Sequence, residues 1–381
     1  MTQSRKGKWL ARLVVILAYV LLAEGASYLG LRILGLPTSF ARPERSEKLP
    51  WGAWGKPNTV ARHSNDCFDV PYRFNSAGAR DAERSLQGKG RWVAIGDSFI
   101  EGYGLPEESR LTNLLEKDTG HEILNFSSSG NFGPLQYLIV YQQLASTYEH
   151  EGVIVGFLPD NDFEDNDPAW WAENRSAANG LRHRPYYVLS PDGNSFTIQY
   201  GVKGKTYPSE DFDREPSPPP ETLQDKIVSA AGQAGREAWR QMTAHSSLLA
   251  LTKMVITRLS AQGGEKGVDK SAGYFMENPQ AARATELIMG QLAAAAGDRK
   301  KVLLVFPRQT DLDKQKETGK AGNEPFLAFL DRVKAQGWQV IDLSTIAALR
   351  QMKDVTLGCD GHWNAEASRQ AASAIEPLIN W

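Results

Sequence analysis

The spacing of hydrophobic residues predicts strands and helices in alternation from residue 91 onward. Short, continuous apolar runs are typical of strands buried on both faces, and apolar residues three and four positions apart are typical of helices. The predicted strands lie in the segments 91–97, 121–130, 152–159, 300–307 and 338–343. The predicted helices are 110–120, 133–147, 281–296 and 324–337, and a last one follows Asn364.

Apolar strands that alternate with helices form a parallel sheet with helices on both sides. We therefore expect residues 91–381 to form an α/β domain, a three-layer sandwich around a central parallel sheet. An insertion at about 165–278 interrupts the alternation. Within it we predict a β-hairpin with a Pro-Asp-Gly turn at 186–200, a proline-rich linker at 215–221 and one or two helices at 222–261.

The N-terminal region has a different pattern. Residues 13–23 are uncharged and apolar, and the basic residues before them are Arg5, Lys6, Lys8 and Arg12. This fits a signal-peptide core of about 7–15 residues. Apolar character resumes after Glu24, so that 13–36 could span a membrane, which takes roughly 20 residues. We favour an uncleaved signal anchor with a cytoplasmic tip (1–37) over a cleaved signal, and the basic residues place the rest outside the cytoplasm.

Residues 38–90 are polar, contain Pro, Gly and Trp, and lack clear periodicity. We expect an extended linker that wraps onto the domain. The net charge of the 381-residue chain is −2, which gives no reason to expect a nucleic-acid partner. Two cysteines, Cys67 and Cys359, are too few for a structural zinc site, and they form either one disulfide or two free thiols.

Candidate chemistry lies at the ends of the predicted strands, where open parallel sheets bind ligands. The first strand ends at Gly96-Asp97-Ser98. A serine on a sharp strand-to-helix turn is held at the top of the sheet, which suits a nucleophile. The alternative is that Ser98 or Asp97 only caps the helix that follows.

Two further strand ends carry groups suited to an oxyanion. The small residues of 125–134 let backbone amides approach a ligand, although a solvated turn is the alternative. Asn161 can donate its side-chain amide in the same way. The acidic residues around it suggest calcium, but the EF-hand pattern fails, because Asp165 takes the glycine position and Trp171 the final glutamate position.

The segment 359–368 (CDGHWNAEAS) supplies a candidate base. A serine nucleophile needs a base, usually histidine, and that base needs a carboxylate to fix its tautomer. His362 has Asp360 two residues before it, in a loop that contains glycine. A purely structural histidine is the alternative.

These four segments, in this order, resemble the motifs of the SGNH/GDSL hydrolase superfamily. Ser98 in IGDSFIEGYG matches the nucleophile of the first block, Gly130 the glycine of the second, Asn161 the third, and Asp360 with His362 the last. The resemblance covers roughly residues 70–381, apart from the insertion.

The segment FNSAGARDAE at 74–83 also resembles one that precedes the first block in membrane-anchored bacterial members. Two positions depart from the family pattern. Pro159 replaces the glycine of the third block, and the spacing from Asp360 to His362 is one residue shorter than the commonest one.

The resemblance implies a flavodoxin-like SGNH fold and acyl transfer with no cofactor and no metal. His362 would remove the proton of Ser98, which would attack an ester carbonyl. The amides of Ser98 and Gly130 and the side chain of Asn161 would form the oxyanion hole. A bacterial member anchored in the inner membrane would face the periplasm or the cell exterior, or be secreted if the signal is cleaved.

An enzyme in that location would meet carbohydrate of the cell envelope or exported polysaccharide. We therefore expect hydrolysis of short acyl esters, such as O-acetyl groups on carbohydrate, or of a small ester. Trp170 and Trp171 could stack on sugar rings, or could pack the insertion onto the core. The alternatives are an O-acyltransferase or a lipase with the same triad, or a non-catalytic glycan-binding module.

Overall fold

A computed structural model describes residues 5–173, 184–202, 205–208, 235, 238–239, 241–263, 273–275 and 277–381. The chain divides into two compact units. The first comprises Met1–Arg42, Arg62–Val70 and Pro218–Val268. The second comprises Pro43–Ala61, Pro71–Ser217 and Asp269–Trp381.

The described helices and strands are numbered here in chain order. The helices are α1 (Arg5–Ile33), α2 (Ser98–Glu101), α3 (Leu111–Thr119), α4 (Pro134–Gln143), α5 (Pro159–Asp162), α6 (Pro168–Glu173), α7 (Ser247–Gly263), α8 (Pro279–Ala296), α9 (Gln309–Thr318), α10 (Glu324–Ala335), α11 (Ala347–Gln351) and α12 (Ala365–Ile375). The strands are β1 (Arg45–Leu49), β2 (Gly52–Gly55), β3 (Thr59–Asn65), β4 (Phe68–Phe74), β5 (Arg91–Ile95), β6 (Glu122–Asn125), β7 (Gly152–Phe157), β8 (Arg184–Leu189), β9 (Phe196–Val202), β10 (Lys205–Pro208), β11 (Lys300–Val305) and β12 (Gln339–Asp342).

The first unit contains the long apolar helix α1. Its residues Lys8–Ile33 form a stretch of 26 residues that is long and apolar enough to cross a membrane, a test that a signal sequence near the N-terminus also passes. Glu24, which interrupts the apolar sequence, accepts hydrogen bonds from the hydroxyl of Ser246 and the amides of Ser247 and Leu248. The carboxylate thereby caps the first turn of α7.

The second unit is built on a five-stranded sheet in the order β12-β11-β7-β5-β6, and every pair of neighbours is parallel. The expected central parallel sheet is therefore present. With β5 as its first strand along the chain, this is the flavodoxin-like order, in which the ligand site lies where the chain reverses direction, between β5 and β7.

Alternate residues of the strands enter two hydrophobic clusters, one on each face of the sheet. One cluster contains Val93, Ile95, Leu124, Val153, Val155, Leu303 and Val305, with residues of α4, α8 and α10. The other contains Trp92, Ala94, Ile123, Ile154, Val302 and Leu304, with residues of α3, α11 and α12. The sheet is thus buried on both faces, as its continuous apolar strands predict.

Residues 38–90 have more regular structure than the sequence predicts. Strands β1 and β2 pair as an antiparallel hairpin, and β3 and β4 form a second two-stranded sheet. Trp51 and Trp54 are buried in the same cluster as Val93. This segment therefore contributes to the core, which a solvated linker would not do.

The described part of the insertion contains the predicted hairpin. Strands β8 and β9 pair antiparallel, and β10 adds a third strand. Helix α7 overlaps the C-terminal part of the predicted helical stretch 222–261 and ends at Gly263, whereas the predicted proline-rich linker 215–221 lies outside the described residues. Both Cys67 and Cys359 are disulfide-bonded, so of the two alternatives the structure has the oxidised form.

Candidate active site

Ser98 lies on a tight turn at the carboxyl end of β5. Asp97 is the N-cap of α2, because its carboxylate accepts a hydrogen bond of 2.9 Å from the amide of Phe99. The turn requires glycine at position 96, where a Cβ would lie 2.6 Å from Cγ1 of Ile100 and 3.2 Å from the carbonyl oxygen of Gly156. Because Asp97 does the capping, the hydroxyl of Ser98 is left for another partner.

That partner is His362. The distance from Oγ of Ser98 to Nε2 of His362 is 2.7 Å, and Nδ1 of the same ring hydrogen-bonds to Oδ1 of Asp360. Burial would raise the pKa of Asp360, but its hydrogen bond with His362 and the charges of His362 and Arg308 hold that pKa below its ordinary value. An ionised Asp360 fixes the proton on Nδ1 and leaves Nε2 free to accept the proton of Ser98.

The loop that holds His362 is itself fixed by hydrogen bonds. Asn364 caps α12 by accepting a bond of 2.8 Å from the amide of Ala367, as expected from the sequence. The carbonyl oxygen of His362 accepts a bond of 2.9 Å from the amide of Leu357. The backbone of His362 is therefore held by its bond with Leu357, and the backbone that follows it is held by the start of α12.

Two aromatic rings cover the imidazole. Tyr103 stacks on His362 with ring centroids 4.1 Å apart and an interplanar angle of 21°, and Phe99 packs at 5.3 Å. Both lie in the segment IGDSFIEGYG, but no pattern in that segment assigns them a role. Rings in contact restrict rotation of the imidazole, so that its two nitrogens stay directed toward Asp360 and Ser98.

Asn161 lies beside the nucleophile turn. Its Nδ2 donates to Oδ2 of Asp97 at 3.3 Å and to Oδ2 of Asp165 at 3.0 Å. The structure thus brings Asn161 next to the residue that precedes Ser98. Both amide protons are directed at carboxylates, so binding an oxyanion would require the amide to give up one of these acceptors.

Gly130 lies in the loop after β6, where its φ of 102° is left-handed and favours glycine. The same loop is joined to the nucleophile turn, since the amide of Ser128 donates to the carbonyl oxygen of Gly96 at 3.3 Å. The second segment of the sequence prediction is therefore adjacent in space to the first. The third and fourth segments also contact the first, through Asn161 with Asp97 and His362 with Ser98.

Asp162, which directly follows Asn161, has a structural role. Asp162 accepts hydrogen bonds from the hydroxyl of Tyr137 at 2.7 Å and from the amide of Leu158 at 2.9 Å. Burial, with the nearby charge of Asp97, raises the pKa of Asp162 well above its ordinary value. Among the described residues, no group of three or more His, Cys, Asp or Glu side chains has the arrangement of a metal site.

Arg308 is a residue of the site that the sequence analysis missed. Its Nε lies 2.8 Å from Oδ2 of Asp160, the neighbour of Asn161. A Cβ on Gly361, between Asp360 and His362, would lie 3.3 Å from Nη1 of Arg308. Arg308 comes shortly after a buried strand, β11, and the strand-end rule that selected Ser98 would have found it.

The structure describes the side chain of only one of the two tryptophans proposed to contact sugar. Trp170 is half-buried in α6, and the side chain of Trp171 lies outside the described part of the chain. Their proposed contact with sugar rings stays a prediction.

Comparison with known proteins adds little to this geometry. No protein-family model matches the chain, and no curated protein matches it. A similar solved structure is described as a crystal structure of a Corynascus thermopiles (Myceliophthora fergusii) carbohydrate esterase family 2 (CE2) enzyme plus carbohydrate binding domain. The identity is 13%, the TM-score is 0.30, and the match covers 78% of this chain and 67% of that chain. A likeness of this size carries no weight for the function of this chain.

Proposed function

We propose that this chain is a serine esterase of the SGNH/GDSL type that hydrolyses short acyl esters. The observation that carries the proposal is the series Ser98–His362–Asp360, with 2.7 Å between Oγ of Ser98 and Nε2 of His362. A serine hydroxyl is a weak nucleophile unless an adjacent base removes its proton. Here the base is in hydrogen-bond contact and is oriented by a carboxylate.

Acylation follows from this geometry. Oγ of Ser98 attacks the carbonyl carbon of the ester while its proton moves to Nε2 of His362. The carboxylate of Asp360 stabilises the imidazolium that forms. His362 then gives the proton to the alcohol oxygen as the carbon–oxygen bond breaks, which releases the alcohol and leaves the acyl group on Ser98.

Deacylation runs through the same groups. Water attacks the acyl carbon as His362 takes one of its protons. The bond to Oγ then breaks, Ser98 recovers its proton from His362, and the carboxylic acid leaves. We propose that the amides of Ser98 and Gly130 and the side chain of Asn161 hold the oxyanion in both steps, where loss of one donor typically costs about 2.7–4 kcal/mol.

The proposed substrates are O-acetyl or similar short acyl groups on carbohydrate outside the cytoplasm. Helix α1 and the basic residues at its N-terminal end support a location at the inner membrane, with the second unit on the periplasmic side. An enzyme in that place meets acylated envelope carbohydrate. Trp170 and Trp171 are the candidates for contact with its sugar rings.

The test uses the full chain in detergent micelles. We expect hydrolysis of p-nitrophenyl acetate and release of acetate from an acetylated polysaccharide, both lost in Ser98→Ala and His362→Ala. Ser146→Ala, a change of an exposed serine in the turn after α4, is the matched control. Equal rates for the wild type and Ser98→Ala would overturn the proposal.

Two further outcomes would change the substrate. A rate that rises with acyl chain length, from acetate to butyrate to octanoate, would indicate a lipase. Acetate release that disappears when a sugar acceptor is added, with acetyl appearing on that sugar, would indicate a transferase.

A further inference from the structure

Arg45, the first residue of β1, inserts its side chain between two parts of the candidate active site. Its Nη2 lies 2.5 Å from Oε1 of Glu101 and 2.8 Å from Oγ of Ser129, and its Nη1 donates to Oγ of Ser128 at 2.6 Å. Only 11% of the side chain is exposed. One guanidinium therefore holds three side chains that lie 56 to 84 residues further along the sequence.

Glu101 belongs to the helix that begins at Ser98, since α2 runs from Ser98 to Glu101. Its side chain is completely buried, and its second oxygen accepts a hydrogen bond of 3.1 Å from the amide of Ser129. Burial would raise the pKa of Glu101, but the charges of Arg45 and Arg80 keep it below its ordinary value. Glu101 is thus an ionised link between the nucleophile helix and the loop after β6.

That loop carries Gly130 directly after Ser129. The backbone amide of Ser129 is held by Glu101 and its hydroxyl by Arg45, while the amide of Ser128 is held by Gly96. The peptide that presents the amide of Gly130 is therefore fixed from the residue before it. A shift of this loop would misdirect that amide without touching Ser98 or His362.

We propose that Arg45 is a positioning residue for the candidate active site, which holds the loop of Ser128, Ser129 and Gly130 against the nucleophile helix through Glu101. The proposal rests on the proposed function, because it assigns the aligned amide of Gly130 to the oxyanion. In this proposal the segment before β5 supports the geometry of the active site and is more than a linker.

Arginine is required by the geometry of the three acceptors. A planar guanidinium presents nitrogens in a fixed fork that reaches a carboxylate and both hydroxyls together. A lysine ammonium offers its donors from a single atom at the end of a flexible stem. Arg45→Lys therefore keeps the charge next to Glu101 but loses part of the hold on Ser128 and Ser129.

The experiment compares the full-length wild type with Arg45→Lys, Arg45→Ala and a matched control, Arg283→Ala. Arg283 also pairs with a glutamate, Glu286, at 2.7 Å, and it binds the carbonyl oxygen of Gly193, away from the site. Two quantities are measured for each: amide hydrogen exchange in peptides that cover 126–133, and kcat and KM for p-nitrophenyl acetate. Thermal unfolding shows that each variant is folded.

We expect exchange in 126–133 to be about tenfold faster in Arg45→Ala, because charge-assisted hydrogen bonds are lost, and kcat to fall about 10- to 100-fold with KM little changed. Arg45→Lys should lie between, and millimolar guanidinium should restore part of the activity of Arg45→Ala. Arg283→Ala should change neither quantity.

Unchanged exchange in this loop would overturn the proposal whether or not the chain is an esterase. Faster exchange with an unchanged kcat would also overturn it, since the loop would then be held without consequence for catalysis. Failure of the proposed function has a different signature, which is a wild-type rate equal to that of Ser98→Ala.

Discussion

Oγ of Ser98 lies 2.7 Å from Nε2 of His362, although 264 residues of chain separate them. Ser98 is placed by the end of β5 and His362 by the loop before α12. Two parts of the second unit that are far apart in the sequence must therefore come together correctly before the pair exists. Chemistry at this pair depends on the carboxylate, rings and loops that fix each partner.

The carboxylate of Asp360 can be tested without changing the shape of the site. Asp360→Asn would offer its amide to Nδ1 of His362 and so favour the wrong tautomer. We expect kcat for p-nitrophenyl acetate to fall by about 10⁴-fold, as in other triads of this kind. Asp331→Asn, which changes an exposed carboxylate on α10, is the control and should be neutral. A loss of less than tenfold would mean that Asp360 does not orient the base.

The ring of Tyr103 should matter for its face rather than its hydroxyl. Tyr103→Phe keeps the ring that stacks on His362 at 4.1 Å, and we expect its kcat to remain near the wild-type value. Tyr103→Leu removes the aromatic contact and should lower kcat about two- to tenfold, which corresponds to the energy of such a pair. If Phe and Leu behave alike, the ring does not position the imidazole.

Gly130 can be compared with a second left-handed glycine. Gly130→Ala, at φ 102°, introduces backbone strain in the loop beside Ser98. Gly120→Ala makes the same substitution at a φ of 73° at the C-terminal end of α3, where no atom lies within 4 Å of the added Cβ. Both should lose stability by about 1 kcal/mol in thermal unfolding. Only Gly130→Ala should also lose kcat, by at least about tenfold. Equal kcat in the two variants would contradict the role of this loop.

Buried Asp162 gives a pH dependence with a defined sign. Its raised pKa means that the folded state keeps a proton that the unfolded chain loses near pH 4. Its contribution is therefore most favourable below that pH and declines as the pH rises, by up to about 1.4 kcal/mol per pH unit.

Asp162→Asn removes this titration and keeps both hydrogen bonds, because its amide can donate to the hydroxyl of Tyr137 and its oxygen can accept from Leu158. We expect the free energy of unfolding of Asp162→Asn to vary less steeply with pH than that of the wild type, when both are measured by chemical denaturation from about pH 4 to about pH 8. The same slope in both proteins would show that Asp162 ionises freely in the folded state.

The sheet, and the proximity of Ser98, His362 and Asp360, were predictable because their signals are local. Strands buried on both faces give continuous apolar runs, and Ser98 directly follows such a run. His362 has a carboxylate two residues before it, which is the partner that a base requires. Because the carboxyl ends of parallel strands lie at one edge of a sheet, residues that follow these strand ends were expected to lie there together.

Arg45 and Tyr103 contact residues that are distant in the sequence, so no local pattern indicates their roles. An arginine in a polar stretch gives no sign that Glu101, 56 residues later, is its partner.

Strand β4, in contrast, has an alternating pattern that predicts a strand, since Phe68, Val70, Tyr72 and Phe74 are buried and the residues between them are exposed. Pro71 obscured that pattern, because proline is unusual inside a strand.

The most direct test of the central claim is covalent labelling of the full-length protein with a fluorophosphonate, which reacts with an activated serine. We predict one adduct per chain, mapped by mass spectrometry to Ser98, absent in Ser98→Ala and formed far more slowly in His362→Ala. Absence of an adduct, or an adduct that persists in Ser98→Ala, would contradict the account.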